Sequence, residues 1–430
     1  MKTIIQYILK IIAKRIYLKY KPEVIGITGS VGKTSARKAV YAVMKEKHEV
    51  RSSIKNYNNE IGLPLTLIDE ESRGQDLFGW ISVFLKGISL IRKRDKNYPK
   101  VLVLEMGADK PGDIEYLLKI VKCKIGIITR IGESHLEAFK TVDRIKKEKA
   151  LIVKELEKND WAVLNFDDDR VREIAKEVKS NYISYGLNEK SDLYASDVSI
   201  VNQVAGGGKD QYGLSFKMHY KGSVVPVNIP GVISFSSVYA CLVGASVGII
   251  YGLNLIEIAG ALKNYKSPKG RMNMILGVKG TLILDDTYNA SPQSSVEALE
   301  ALVKLELSGQ SHSYAVFGDM LELGDYTEAG HREVGERLAE LKINYLITSG
   351  ERSRDIGHGA RQAGMSEDNI FHFDDNSIAG KFLEDRIKKG DIILVKGSQG
   401  ARMERVVKEI MADPLHANDL LVRQSPEWDS

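Results

Sequence analysis

The segment EVIGITGSVGKTSARKAVYAVMKEK, residues 23–47, combines three local patterns. EVIGIT is a short β-rich run, GSVGKT is a loop with two glycines, and SARKAVYAVMKEK has the composition of a helix. Further along the chain, KVLVLEMG, KIGIITRIG and DWAVLNFDDD are apolar runs separated by helical stretches. Strands that alternate with helices predict a parallel sheet with helices on both faces.

The loop in this segment has the residue types that bind a polyphosphate. Its glycines let backbone N–H groups approach phosphate oxygens, and the N-terminus of the following helix favours an anion. In such loops a lysine neutralises the β- and γ-phosphates and a hydroxyl binds Mg²⁺. The spacing is shorter than usual, because Ile27 stands where the first glycine would be. The predicted nucleotide-binding residues are Gly29, Ser30, Val31, Gly32, Lys33, Thr34 and Ser35.

The rest of the chain predicts a second α/β domain. The runs YGLSFKMHY and GSVVPVNIP indicate antiparallel hairpins, and SSVYACLVGASVGIIYG indicates a buried helix. A new alternating set follows, from TLILDDTYN to DIILVKGS. The fold class is therefore α/β: a P-loop central domain with a mostly parallel sheet, plus a C-terminal Rossmann-like domain. The expected bounds are a basic helix over 1–22, a central domain over 23–268, a C-terminal domain over 269–412 and a loose tail over 413–430.

Composition restricts the class of protein. A length of 430 residues predicts two or three domains. The apolar share of 43% and charged share of 27% are typical of a soluble globular protein. A formal net charge of +4 is small for this length and does not indicate a nucleic-acid partner. Cys123 and Cys241 lie far apart in apolar runs, which favours buried thiols in a reducing cytoplasm over a disulfide or metal site.

Residues 1–21 predict a basic amphipathic helix. No apolar run in this segment is long enough to cross a bilayer. Apolar residues recur at helical spacing among basic ones, and they are Ile4, Ile5, Ile8, Leu9, Ile12, Ile16 and Tyr17. Two interpretations stay open. The apolar stripe packs on the protein itself, or the helix rests peripherally on the anionic inner face of a membrane.

Six further motifs resemble those of the Mur ligase family, most closely its D-alanyl-D-alanine-adding branch. They occur in the family's order between about residues 23 and 410. They are NYNNEIGLPLTL, LEMGADKPGDIEYL, TRIGESHLEAF, DDTYNASPQS, VFGDMLELG and VKGSQGARME. The resemblance implies a ligase that uses ATP and two Mg²⁺ ions to activate a muropeptide carboxylate as an acyl phosphate. An amine such as D-alanyl-D-alanine then attacks the acyl carbon, in peptidoglycan synthesis.

The resemblance also implies roles for single residues. Lys33, Glu105, His135 and Lys149 are the expected catalytic residues, and Thr34 joins the last three as expected metal ligands. In the family, the lysine matched by Lys149 is carbamylated, which turns a cation into a carboxylate-like ligand for the second Mg²⁺. The alternative for Lys149 is a solvated helix face, because Lys146 and Lys147 lie beside it.

Further matches concern substrate and nucleotide. Asn56, Asn58 and Asn59 resemble a loop that touches the muropeptide, although asparagines also stabilise turns. The resemblance assigns nucleotide contacts to Arg271, Asp286 and Asn289. It assigns no individual chemistry to four other residues in cleft-facing motifs, Asp319, Glu322, Lys396 and Ser398.

Two departures from the family pattern affect the expected substrate. Residues 234–242, SFSSVYACL, lack the His and the two Asn that help hold adenine in the family. The phosphate-binding loop begins within 30 residues of Met1, where nucleotide-linked relatives carry a uridine-diphosphate-binding domain. We therefore keep three alternatives: a related ligase with a lipid-linked or other non-UDP acceptor, a P-loop ATPase without ligase chemistry, and a non-catalytic scaffold.

Overall fold

The computed structural model describes residues 2–53, 57–132, 136–202, 212–305, 311–424 and 428. Contacts divide the chain into two compact units. The first comprises Met1–Val198, Phe216–Asn228 and Ser236–Tyr265, and the second comprises Ser199–Ser215, Ile229–Phe235 and Lys266–Ser430. Cys123 and Cys241 are both buried free thiols, as predicted.

A nine-stranded sheet contains the first predicted strand at its expected position. Its strands in chain order are β1 (Glu23–Thr28), β2 (Val50–Ser52), β3 (Val101–Glu105), β4 (Ile125–Ile128), β5 (Trp161–Asn165), β6 (Asn181–Gly186), β7 (Leu193–Asn202), β8 (Tyr212–Tyr220) and β9 (Ser223–Pro230). The spatial order is β2-β3-β1-β4-β5-β6-β7-β8-β9, and the pairs from β2 to β7 are parallel. Only Lys221 and Gly222 separate β8 from β9, and both have positive φ. This two-residue turn is that of the predicted antiparallel hairpin.

Helices follow most strands of the first unit. They are α1 (Lys2–Tyr20), α2 (Lys33–Met44), α3 (Gly62–Ile68), α4 (Leu77–Arg92), α5 (Asp113–Leu118), α6 (Leu136–Phe139), α7 (Val142–Lys154), α8 (Asp169–Ala175), α9 (Ser237–Ile250) and α10 (Leu255–Leu262). α9 is buried along most of its length, as SSVYACLVGASVGIIYG predicts. Buried apolar residues of β1, β3 and β4 pack with those of α5 and α7, and this core holds the ends of the strands in place.

The N-terminal helix packs on the protein itself. Ile5, Leu9, Ile12 and Ile16 of α1 are buried in a cluster with residues of α3 and α4. The apolar stripe that the sequence left open between two interpretations is therefore part of the core. Within the described ranges, no helix is both long and apolar enough to span a bilayer.

The second unit contains a six-stranded sheet. Its strands are β10 (Asn273–Leu276), β11 (Leu282–Asp286), β12 (Ser313–Gly318), β13 (Tyr345–Ser349), β14 (Ile370–Phe373) and β15 (Ile392–Lys396), in the order β10-β11-β15-β12-β13-β14. Only β10 is antiparallel to its neighbour. The helices are α11 (Pro292–Val303), α12 (Thr327–Glu340), α13 (Arg354–Gln362), α14 (Asn376–Arg386), α15 (Glu404–Ile410) and α16 (Ala417–Leu420). The two sheets confirm the predicted α/β class.

The C-terminal stretch departs from the expected loose tail over residues 413–424. Ala417 and Leu421 are buried in the core of the second unit. Arg423 donates to a carboxylate oxygen of Glu404 at 2.7 Å and to the carbonyl of Tyr288 at 3.3 Å. Two buried apolar side chains are too few to produce a periodic sequence pattern, but they are enough to attach this segment.

Candidate functional site

The loop between β1 and α2 has the backbone geometry of a tight anion-binding turn. Gly29 has φ 149° and Gly32 has φ 87°, in the region that favours glycine. A Cβ on Gly29 would lie 1.9 Å from Oγ1 of Thr129, so the position has no room for a side chain. The Thr129 hydroxyl in turn donates to the carbonyl of Val31 at 2.6 Å. The loop is thus held against the end of β4.

The helix after the loop begins without a side-chain cap. Gly32 is the N-cap residue of α2 and has no side chain with which to cap the first-turn N–H groups. Such N–H groups have no partner within a helix, and together with the helix dipole they favour a phosphate. Nζ of Lys33 lies over this loop and donates to the carbonyl of Gly29 at 2.6 Å. The predicted residues 29–35 therefore lie together in one compact turn.

Glu105 lies beside this loop because of sheet register. It ends β3 and pairs with Ile27 near the end of β1. The side chain is 1% exposed. The hydroxyl of Thr34 donates to its Oε2 at 3.2 Å, and Nε of Arg37 donates to its Oε1 at 2.6 Å. The structure thus brings together two of the predicted metal ligands, Thr34 and Glu105.

Arg37 is a residue of this site that we did not predict from the sequence. Its guanidinium also donates to the hydroxyl of Ser52 at 2.8 Å and to the carbonyl of Ser53. A usable signal was present, because Arg37 follows Lys33 by four positions and so lies on the same face of α2. The buried ion pair fixes the orientation of the Glu105 carboxylate, and removal of one partner would leave an uncompensated charge.

Lys149 is buried on α7, unlike the exposed Lys147 beside it. Only 1% of its surface is exposed. Burial and, to a smaller extent, the nearby charge of Lys33 lower the pKa of Lys149 to about 7, although Asp109 and Glu148 act in the opposite direction. The alternative of a solvated helix face therefore does not hold for Lys149. Near neutral pH a large fraction of this amine is uncharged.

Of the residues expected to touch substrate, two have observed contacts within the chain. The carbonyl of Asn58 accepts from N of Gly107 at 2.7 Å. Oδ1 of Asn59 accepts from the backbone N–H groups of Ile61 and Gly62 at 3.1 and 2.9 Å. Asn59 therefore stabilises the start of α3, which is the turn role that asparagine often has. Asn56 and His135 lie outside the described residues.

In the second unit, sheet register brings Asp286 and Lys396 together. They end the parallel strands β11 and β15 and are register partners. Nζ of Lys396 donates to Oδ2 of Asp286 at 2.5 Å and to the carbonyl of Asn289 at 3.0 Å. The guanidinium of Arg271 lies 4.3 Å from the ring centre of Tyr288. The carboxyl ends of parallel strands are where α/β folds place ligand-binding groups.

Ser398 and Asp319, near the same ends of the strands, accept hydrogen bonds from backbone N–H groups of loops. Ser398 accepts from N of Leu321 at 2.9 Å, and Asp319 accepts from N of Ser353 at 2.8 Å. Glu322 is exposed and has φ 65°. Asp285, which we did not predict, is fully buried, and burial raises its pKa to about 6 although Thr287 donates to it.

The stretch that departs from the family's adenine motif lies at the start of α9. The hydroxyl of Tyr239 donates to Oδ2 of Asp167 at 3.0 Å. Asp167 also accepts from N of Leu187 at 2.6 Å. These contacts link α9 to the ends of β5 and β6 with residue types different from the family's His and Asn.

Comparison with known families gives two matches in sequence order. A model of the Mur ligase middle domain matches residues 27–78 and 86–241. A model of the Mur ligase glutamate ligase domain matches residues 270–399. Together they cover more than three quarters of the chain.

Individual relatives agree with these matches. The UDP-N-acetylmuramoyl-tripeptide–D-alanyl-D-alanine ligase of Bacillus subtilis is 28% identical over 94% of this chain and 79% of its own length. The MurF ligase of Thermotoga maritima in complex with ADP is 28% identical, with a TM-score of 0.73 over 94% of this chain and 83% of that one. MurF from Acinetobacter baumannii, at 24% identity over 94% of this chain and 80% of that one, shares the fold with a TM-score of 0.76. From its two ordered domain matches, we conclude that this chain belongs to the Mur ligase family.

Proposed function

We propose that this chain is an ATP-dependent ligase that joins D-alanyl-D-alanine to the carboxylate of a UDP-N-acetylmuramoyl tripeptide in peptidoglycan synthesis. The observation that carries the proposal is the loop of residues 29–35, whose Thr34 hydroxyl donates to Glu105. It lies in a chain that aligns over 94% of its length with a ligase of this name. A similar protein, at 28% identity, was solved with ADP.

The nucleotide phosphates are proposed to bind in the loop after β1. The uncapped N-terminus of α2 offers N–H groups to the phosphate oxygens. Lys33, whose ammonium already lies against the Gly29 carbonyl, offsets the charge on the β- and γ-phosphates. Gly29 permits this approach because its α-carbon has no substituent to collide with Thr129.

Thr34 and Glu105 fit a Mg²⁺ ion chemically. Mg²⁺ takes hard oxygen ligands, and in nucleotide sites it binds one or two protein oxygens together with phosphates and water. Here a hydroxyl and a carboxylate oxygen lie 3.2 Å apart, and Arg37 keeps the carboxylate oriented. A bound Mg²⁺ would neutralise the charge that develops on the transferred phosphoryl group. The second proposed ion would involve His135 and Lys149.

The proposed reaction has two steps and needs no nucleophile from the enzyme. A carboxylate oxygen of the muropeptide attacks the γ-phosphorus, and the bond to ADP breaks, giving an acyl phosphate. The amine of D-alanyl-D-alanine then attacks the acyl carbon, and phosphate leaves as the amine loses a proton. The chain's residues contribute by placement and charge. Lys33 stabilises the phosphoryl oxygens, and Arg37 keeps the carboxylate of Glu105 in a fixed orientation.

We further propose that Lys149 is carbamylated. Carbamylation requires an uncharged amine, and the low pKa of about 7 supplies one near neutral pH. Nζ attacks CO₂, an N–C bond forms and one proton is released. The product is an anion close to the positive charge of Lys33, which lowers the cost of burying it.

In the second unit, we propose that Arg271, Asp286 and Asn289 contribute to nucleotide binding. Asp286 also positions the ammonium of Lys396, which donates to its Oδ2. Its Oδ1 accepts from N of Met272 at 3.1 Å. Both carboxylate oxygens therefore have protein partners. Each carboxylate oxygen can accept a second hydrogen bond, so Asp286 can contact a ligand and keep both partners.

The proposal is tested by phosphate release from ATP in the presence of Mg²⁺. UDP-linked and lipid-linked muropeptides are each paired with D-alanyl-D-alanine and with single amino acids. We expect release only when an acceptor and an amine are both present, and fastest with the UDP-linked tripeptide and D-alanyl-D-alanine. Lys33→Ala should slow the reaction by about 1,000-fold or more. Lys45→Ala, an exposed lysine at the end of the same helix, should leave it unchanged.

Two other results would each replace the proposal. ATP hydrolysis that does not depend on acceptor and amine would indicate an ATPase without ligase chemistry. A clear preference for the lipid-linked acceptor would show that the chain is a ligase with a different substrate.

A further inference from the structure

α4 has an apolar stripe on its outer face. Five large apolar side chains lie in line at helical spacing and are between 39% and 85% exposed. They are Leu77, Phe78, Ile81, Leu85 and Ile88. Single exposed apolar residues are normal on a soluble protein, but a contiguous stripe of this kind marks an interaction surface.

This helix is also where the chain departs from its family. The model of the Mur ligase middle domain leaves out residues 79–85, which form the centre of α4. It also begins at residue 27 and so does not include α1. Of the five stripe residues, Ile81 and Leu85 lie in the unmatched segment, whereas Leu77, Phe78 and Ile88 lie in matched ones.

α1 and α4 are packed together in a way that holds the stripe outward. The opposite face of α4 buries Trp80, Val83 and Gly87. A Cβ on Gly87 would lie 2.5 Å from Cγ2 of Ile12, so the two helices are in close contact there. Nζ of Lys19 donates to three carbonyls at the end of α4, at 2.7 to 3.0 Å. With one face fixed in this way, α4 cannot rotate to bury its apolar stripe.

The charges at the two ends of the stripe differ: the acidic Asp69, Glu71 and Asp76 are exposed before it, and basic residues follow it. The basic residues that follow it are all exposed, and they are Arg92, Lys93, Arg94 and Lys96. Only Asp95 interrupts this run. Residues 1–22 add six basic residues and no acidic one, and of these Lys14 and Arg15 are exposed on α1.

We propose that α4 docks this protein on a lipid membrane surface that carries anionic headgroups. An apolar helix face with a basic cluster at one end is an arrangement of interfacial helices, in which the apolar side chains enter the headgroup boundary and the cations meet anionic lipid. Here the basic cluster is at the C-terminal end of α4. At 16 residues, α4 is about 24 Å long and lies along such a surface without crossing it. α1 has a supporting role, because its central apolar stripe is buried.

Vesicle flotation with the full chain tests this proposal. Vesicles of phosphatidylcholine alone are compared with vesicles that also contain phosphatidylglycerol. We expect the protein to float with the anionic vesicles, and added salt to weaken the association. Phe78→Gln combined with Leu85→Gln should reduce the bound fraction by about tenfold or more. Arg92→Gln combined with Arg94→Gln should reduce binding to anionic vesicles by about tenfold.

A matched control is available elsewhere on the chain. Leu415 is 93% exposed in the second unit, so Leu415→Gln removes an equally accessible apolar side chain and should leave flotation unchanged. All substituted residues are exposed, so the thermal midpoint of each variant should equal that of the parent chain, which shows that folding is intact.

Three outcomes would overturn the proposal. The parent chain does not float with either kind of vesicle, or the Phe78 and Leu85 double variant floats as well as the parent. In the third outcome, the parent chain does not float and sediments as a dimer, whereas the Phe78 and Leu85 double variant sediments as a monomer. The stripe would then be a contact between copies of the chain.

Discussion

Lys149 and Lys147 are two residues apart on α7 but lie in different environments. The buried Lys149 has a pKa of about 7, whereas Lys147 is exposed. If the carbamate of Lys149 supplies a carboxylate at the active site, then Lys149→Ala should lose most of its phosphate release. A short carboxylic acid such as acetate or formate, added to this variant, should restore part of it by occupying the vacated space.

The controls for this prediction are simple. Lys147→Ala should keep the activity of the parent chain and should not respond to added acids. Equal rates for Lys149→Ala and the parent chain would contradict a role for the carbamate. A variant that stays inactive at every concentration of acid would also contradict it.

Lys149 also predicts how stability depends on pH. Its folded-state pKa is about 7, below the usual lysine value of 10.5, so between these values the unfolded chain binds a proton that the folded chain does not. Stability contributed by this group is therefore lost as pH falls from about 10.5 towards 7, and it stays low below pH 7. Relative to Lys149→Met, the parent chain should gain about 2 kcal/mol between pH 7 and pH 9.

Urea unfolding of both proteins in CO₂-free buffer measures this difference, because all other titrating groups are shared. A constant difference across this pH range would show that Lys149 stays charged in the folded chain.

Arg37 shows the limit of residue-level prediction. Its charge and helical position were readable, but its partner Glu105 is 68 positions away. The pair forms because β1 and β3 are adjacent and in register. Contacts across a sheet depend on strand order, which local patterns do not specify.

At the scale of elements, α1 has a measurable effect on stability. Leu9 is fully buried between α1 and its neighbours, so Leu9→Ala should reduce the free energy of unfolding of the first unit by about 2–5 kcal/mol. Ile4→Ala on the same helix removes a side chain that is 65% exposed, and its effect should be within about 0.5 kcal/mol. Chemical denaturation followed by circular dichroism compares the two. Similar effects would mean that α1 does not pack on the protein in solution.

The elements themselves were largely predictable. β1 covers the predicted EVIGIT run, and β8 and β9 form the hairpin expected from YGLSFKMHY and GSVVPVNIP. The sequence did not predict the outward face of α4 or the attachment of residues 413–424. In both cases the pattern is ambiguous, because LFGWISVFLKGISLIR is apolar on most of its circumference and the C-terminal stretch has only isolated apolar residues.

At the scale of the whole molecule, the division into two units predicts which unit a bound nucleotide protects from amide exchange. ADP bound at residues 29–35 should slow backbone amide exchange in the first unit, around the loop and the start of α2. At a free concentration of 100 times Kd it should stabilise the folded state by about 2.7 kcal/mol. Hydrogen exchange followed by mass spectrometry locates the effect. Lys33→Ala should weaken it, and protection confined to the second unit would contradict the proposed site.

The sequence by itself determined the order of strands and helices, the phosphate-binding loop and the resemblance to one family. These are local patterns, and each depends on residues close together in the chain. Only the tertiary structure decided that Glu105 meets Thr34 and Arg37, that Lys149 is buried, and that α4 rather than α1 exposes the longer apolar stripe. These features depend on which elements become neighbours, because burial and pairing arise from contacts between distant parts of the chain.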